Sequence, residues 1–126
     1  MKRLVPLASA RSQGRSVVFG GEELPVREAR PETFEGVDIV LGAAGDAQAR
    51  ELLPEAARRG AVCVDNSHAF RLDEDVPLVI PEINVEDIQD HPRGIISNPN
   101  CATTIGLVPT WPLHRVAGLR RMIVST

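Results

Sequence analysis

The sequence predicts an α/β fold built on an open, largely parallel sheet. Residues 37–65 read as strand, helix, strand, and the apolar content is mostly Val, Leu, Ile and Ala, the mix of parallel strands covered by helices. A strand–helix–strand unit implies parallel pairing through a right-handed crossover. With 126 residues the chain suffices for one globular domain and not for two of full size.

The elements follow in order. Residues 3–9, RLVPLAS, read as a strand carrying a proline, and residues 16–29 as a hairpin turning at Gly20-Gly21. VDIVL (37–41) is a strand ended by Gly42. The helix after it takes Asp46 as N-cap and Gly60 as its stop, with Ala49, Leu52, Leu53, Ala56 and Ala57 at helical spacing. Pro54 inside that pattern predicts a kink or a shortened helix. AVCVD (61–65) is the second strand, VPLVI (76–80) a third, and VEDIQDH (85–91) a short acidic helical turn. GIIS (94–97) runs into SNPNC, and RRMIVST (120–126) reads as a last strand. The first strand has nothing before it, the last stops with the chain, and no GxGxxG occurs, so the chain is expected to be cut at both ends. Such a sheet exposes an unpaired edge and an apolar face. The isolated chain is therefore expected to be poorly stable, inactive and prone to self-association.

Composition narrows the partners. A net charge of −3, three Phe, one Trp and no Tyr supply neither a basic patch nor stacking platforms, which argues against nucleic acid. No apolar run approaches membrane length and the N-terminus lacks a signal-peptide core, so a cytoplasmic protein without a membrane partner is expected. Cys63 and Cys101 lack CxxC spacing and the three histidines are scattered, so neither a metal site nor a disulfide is expected.

SNPNCATT (97–104) carries the chemistry. Pro99 pushes Asn98 into an extended conformation, Asn100 suits an N-cap, and Cys101 falls in the first helical turn. There, unpaired N–H groups and the positive dipole end favour a thiolate and would stabilise an oxyanion. Thr103 and Thr104 add polarity. The competing reading is a small residue at a tight strand-to-helix junction. Cys63, between valines in a strand, reads as a buried, inert thiol.

Two further segments bear on ligands. Arg11 and Ser12 follow the first strand. If the sheet binds a dinucleotide, an arginine without an acidic neighbour selects a 2′-phosphate, and otherwise this is a polar turn. Residues 65–67 end a parallel strand, the edge where such sheets bind ligands. Arg71 follows, either gripping an oxyanion or pairing with Asp73, Glu74 or Asp75.

The segments LASARSQGR, FEGVDIVLGAAG, PEAARRGAVCVDNSHAFR, DVPLVIPEIN, GIISNPNCATT and PLHRVAGLRRMIVST, in this order, resemble the aspartate-semialdehyde dehydrogenase family, whose signature is NPNC. The resemblance implies a partial, Rossmann-like NADP-binding domain over 1–100. Residues 101–126, starting with the nucleophile helix, would begin an α+β substrate and dimerisation domain. It implies that Cys101 attacks the aldehyde carbon of aspartate semialdehyde, that hydride passes to NADP, and that phosphate releases aspartyl phosphate from the thioacyl enzyme. Amino-acid biosynthesis runs the reverse. Arg71 would hold the phosphate, Arg11 and Ser12 the 2′-phosphate, Ala44, Gly45, Asn66 and Ser67 the cofactor, and Asn100 would orient the intermediate. Homo-oligomers are implied for the full-length family. The glycine-rich loop, the general-base histidine and a second substrate arginine of the family have no counterpart here. His114 is not that histidine, and His68 stands where the family more often has serine. An N-acetyl-glutamyl-phosphate reductase would carry glycine in place of Asn100. A non-catalytic binding or assembly module that keeps Cys101 idle stays open.

Overall fold

The computed structural model describes residues 3–125, which fall into two compact units, one ending at Glu35 and the other starting at Gly36. In the first unit β1 (Leu7–Ala8) pairs in parallel with β4 (Arg27–Glu28), and β2 (Ser16–Phe19) pairs antiparallel with β3 (Glu22–Pro25). Gly20 and Gly21 link β2 to β3 with φ of 61° and 87°, the left-handed pair that a two-residue hairpin turn demands. The strand expected over 3–9 shrinks to two residues, because Pro6 has no N–H and contributes only its carbonyl, 3.1 Å from the Arg27 N–H. Residues Pro31–Phe34 form a 3₁₀ turn that no apolar periodicity announces, and it buries Phe34.

The second unit holds a parallel three-stranded sheet in the order β5 (Ile39–Gly42), β6 (Val62–Asp65), β7 (Ile95–Ser97). Between β5 and β6 runs α1 (Asp46–Arg58), as the strand–helix–strand pattern predicts. Its Ala49, Leu53 and Ala56, spaced by four and three, are buried. Removing the Leu53 side chain from water stabilises this packing by about 2 kcal/mol. The other side of β5 leaves Ile39 and Leu41 exposed.

The ends of α1 show how sequence becomes geometry. Gly45, not Asp46, occupies the N-cap, and Asp46 is the first helical residue. At the other end Gly60 has φ 91°, its N–H reaches the Ala57 carbonyl at 2.9 Å, and the Ala61 N–H reaches Ala56 at 3.2 Å. That double closure satisfies the last carbonyls and turns the chain into β6. Pro54 does not shorten the helix, which runs on to Arg58.

Two predicted strands are absent. Residues 76–80 touch β7 only through a single bridge, Leu78 opposite Ser97. Pro77 has no N–H to offer, and the Asn84 side chain takes the Ile80 N–H and donates to the Leu78 carbonyl. Pro81 then opens a one-turn helix, α2 (Pro81–Asn84), and a 3₁₀ turn, Val85–Gln89, follows in the expected acidic stretch. At the end of the chain, α3 (Cys101–Ala117) runs across Pro109 and Pro112 to Gly118. Residues 120–125 form no strand; Met122 and Val124 lie along α3 instead of beside a sheet edge. Thr126 lies outside the described residues.

Two predictions follow from this packing. Gly94, just before β7, has φ 67°, and an added Cβ would stand 3.0 Å from the Ala57 Cβ. Gly94→Ala should lower unfolding stability by about 2 kcal/mol in a denaturant titration; an unchanged midpoint would contradict the geometry. Burial, then the charge of Asp65, pushes the Cys63 thiol up to about 11 from 9.0. The folded state therefore holds this proton more tightly than the unfolded chain. The thiol's contribution to stability is fully present below pH 9 and is lost as pH rises through about 11, a decline that Cys63→Ala should reduce.

Candidate active site

The strand register sets out the site. Gly42 lies opposite Asp65, and Asp65 opposite Ser97, so three loops leave the sheet from one row. The ladder continues one residue further: the Asn66 N–H bonds the Gly42 carbonyl at 2.9 Å and the Asn98 N–H bonds the Asp65 carbonyl at 2.8 Å. Gly42 allows this approach, since a Cβ there would stand 3.1 Å from Leu53 Cδ1 and 3.2 Å from Asp65 Oδ1.

In the loop after β6, Asp65 is fully buried. Its Oδ1 accepts from the Ser67 N–H at 3.1 Å and its Oδ2 from the Ser67 hydroxyl at 2.6 Å, while Ser67 Oγ accepts from the Ala69 N–H at 3.1 Å. The Ser67 hydroxyl is thus engaged inside the turn that presents exposed Asn66 and His68. Ser97 Oγ, also fully buried, has no hydrogen-bond partner among the described residues.

Arg71 ties this loop to the one after β7. Its Nε donates to the Asn98 carbonyl at 2.9 Å and its Nη2 to the Asn66 carbonyl at 3.1 Å, and Asn98 Nδ2 donates to Asn66 Oδ1 at 2.7 Å. Nη1 finds no acceptor, and no carboxylate forms an ion pair with Arg71, among the described residues. The sequence alternative of pairing with Asp73 or Asp75 is displaced, because both bind other arginines.

Asn100 caps α3 as expected, its Oδ1 accepting the Ala102 N–H at 2.9 Å and its carbonyl the Thr104 N–H at 3.0 Å. Cys101 is the first helical residue, exposed and free, at the positive end of the helix dipole. Beside it is a hollow of about 330 Å³ lined by Asn100, Ala102, Thr103, Leu107, Met122 and Val124. A larger hollow, lined by Ala61, Val62, Gly94 and Ile95, sits at the opposite edge of the sheet, where β6 and β7 begin.

The loop after β5 consists of exposed Ala43, Ala44 and Gly45, small residues opening α1, whose N-cap brings no side-chain acceptor to the first N–H groups. A phosphate-bearing ligand fits such a cradle. The Asp46 carboxylate is turned toward the neighbouring loop, accepting the His68 N–H at 2.9 Å. Arg11 and Ser12 belong to the first unit, in the 3₁₀ turn Ala10–Ser12 after β1; Arg11 is exposed and free of ion pairs among the described residues.

Sequence reasoning named Asp46 as a cap, Asp65 as a strand end and Asn98 as extended backbone, and missed the partners their side chains take. Asp65 carries a short-range signal, an Asp ending an apolar strand two residues before a serine. Asp46 and Asn98 act across 22 and 32 residues, which no local pattern encodes. Among the described residues no His/Cys/Asp/Glu cluster could hold a metal, and no helix is long and apolar enough to cross a membrane.

Residues 1–91 match the family model described as semialdehyde dehydrogenase, NAD binding domain. Aspartate-semialdehyde dehydrogenase of Bacillus subtilis (strain 168) is 49% identical over 126 residues, all of this chain and 36% of that protein. The crystal structure of aspartate semialdehyde dehydrogenase II from Vibrio cholerae, complexed with ASA, superposes with a TM-score of 0.90 at 39% identity, covering 95% of this chain and 40% of that one. The Candida albicans enzyme with NADP superposes at 0.74 with 25% identity, covering 91% and 40%. The chain spans little more than a third of the length of the curated relative. With nearly three quarters of its residues inside the model and its whole length aligned to that relative, the chain belongs to the semialdehyde dehydrogenase family.

Proposed function

We propose that the chain supplies the nucleophile, the oxyanion grip and part of the cofactor site for the NADP-dependent interconversion of aspartyl phosphate and aspartate semialdehyde. One observation carries the reading: an exposed cysteine opens a capped helix, three residues after the Asn98 carbonyl that anchors Arg71. The relatives named for this activity support it. Cys101 Sγ adds to the carbonyl carbon, and the N–H groups of Cys101 and Thr103, which the Asn100 cap leaves unused among the described residues, would face the charge that develops on the oxygen. Asn100, fixed by its bond to Ala102, orients that oxygen. Arg71 offers Nη1 to the phosphoryl oxygens, while Nε and one N–H of Nη2 hold its position.

On the cofactor side, the Ala44-Gly45 loop and Asn66 would line the dinucleotide, Ser67 would shape the turn that carries Asn66, and Arg11 and Ser12 would meet a 2′-phosphate. When bound, NADP supplies the hydride acceptor or donor. In domain terms, residues 1–100 belong to the cofactor part and residue 101 opens the substrate part. A cytoplasmic setting and self-association complete the proposal, the latter supported by exposed Leu113, Val116 and Ile123.

Two measurements test it. Iodoacetamide should modify Cys101 while buried Cys63 stays intact, and aspartate semialdehyde should slow the labelling; equal labelling of both thiols, or no protection, would defeat the nucleophile assignment. Arg11→Ala should weaken NADP binding about tenfold and leave NAD binding unchanged. Equal losses for both cofactors would remove the 2′-phosphate role.

A further inference from the structure

Three carboxylates follow Arg71 within four residues: Asp73, Glu74 and Asp75. Such acids compete for a neighbouring guanidinium, and an incoming oxyanion has to displace any that has closed on it. The folded chain sends two of them elsewhere. Arg93, just ahead of β7, donates from Nη1 to Asp73 Oδ2 at 2.8 Å and to Asp75 Oδ1 at 3.1 Å. Arg50, on α1, reaches both oxygens of Asp73, at 3.3 and 3.2 Å, and the Ala69 carbonyl. Both guanidinium carbons stand over the Phe70 ring, 5.1 and 5.2 Å from its centroid, and that ring is 1% exposed. Packing and charge therefore fix the two arginines together. Two cations and two anions make the cluster formally neutral. Glu74 lies between the two tethered aspartates and makes no ion pair among the described residues.

We propose that Arg93 is a positioning residue for the oxyanion site: by gripping Asp73 and Asp75 it keeps their carboxylates off Arg71 and leaves Nη1 free for phosphate. The inference rests on the reading of Arg71 as the oxyanion's partner. It assigns the loop acids a role opposite to the one their sequence neighbourhood implies. Arg93 lies 22 positions from Arg71 and acts by removing competitors.

The test is a titration of the chain with inorganic phosphate, followed through the 15N resonance of Arg71 Nε. In the unaltered chain the resonance should shift saturably. Arg93→Met should raise the midpoint about three- to fivefold, the strength of an exposed competing ion pair. The double variant Arg93→Met/Asp75→Asn should recover most of that loss, and Arg93→Lys should keep the original midpoint. A purely structural role for Arg93 predicts no recovery in the double variant, and that result overturns the proposal. Asp75→Asn alone preserves the Arg93–Asp73 pair and should leave the midpoint where it was; a tighter midpoint would mean that Asp75 already reaches Arg71, which also overturns it. If phosphate leaves Arg71 Nε unmoved in the unaltered chain, the oxyanion assignment itself falls, an outcome distinct from an Arg93 variant that matches the unaltered chain.

Discussion

The parallel register of β5, β6 and β7 is the constraint from which the site follows. It brings Gly42, Asp65 and Ser97 into one row, so the loops behind them emerge at a single edge. Two backbone bonds beyond the formal strands, Asn66 to Gly42 and Asn98 to Asp65, carry that order into the loops. A slip of one residue would turn Asp65 and Ser97 to the opposite face and separate the two asparagines. Asp65, which pairs with no cation among the described residues, is buried at tolerable cost because Ser67 satisfies both of its oxygens, and the resulting turn delivers Asn66 and the segment leading to Arg71.

Arg71 shows how one side chain can hold the fold together and, on the proposed reading, serve a ligand as well. Nε and Nη2 bridge the carbonyls of the two loops, which fixes the guanidinium plane, and Nη1 has no acceptor among the described residues. A rigid fork with one open arm recognises a phosphoryl group at less entropic cost than a free side chain. The cluster of Arg50, Arg93, Asp73 and Asp75 around Phe70 protects that arrangement from the acids beside it. The two cysteines present the same contrast between burial and exposure. Cys63 sits in β6 beneath α1, its thiol donating to the Leu53 carbonyl at 3.5 Å, whereas Cys101 opens a helix toward solvent.

Much of this was legible in the residues. The strand–helix–strand unit, the Gly20-Gly21 hairpin, the Gly60 stop and the Asn100 cap are local devices, each set by one or two residues whose backbone preferences act within a turn. The misreadings share a cause as well. Residues 76–80 and 120–126 have strand-like composition, but a strand exists only when a neighbour accepts its hydrogen bonds. In the first, the Asn84 side chain takes the Ile80 N–H and the Leu78 carbonyl and Pro77 has no N–H, so pairing with β7 stops at the one bridge at Leu78. In the second, residues 120–125 form no strand, and Met122 and Val124 share a hollow with residues of α3 instead.

From the amino-acid order alone came the fold class, the family and the cysteine at the head of its helix, because these depend on short-range backbone preference and on an ordered set of motifs. Tertiary structure alone decided which arginine stays open and which acids are withdrawn. Those partners lie 18 to 23 residues apart, at separations of 23 for Arg50–Asp73, 20 for Arg93–Asp73 and 18 for Arg93–Asp75. Only the packing of α1, the loop after β6 and the lead into β7 brings such charges within hydrogen-bonding distance, where Coulomb attraction and geometry choose among them.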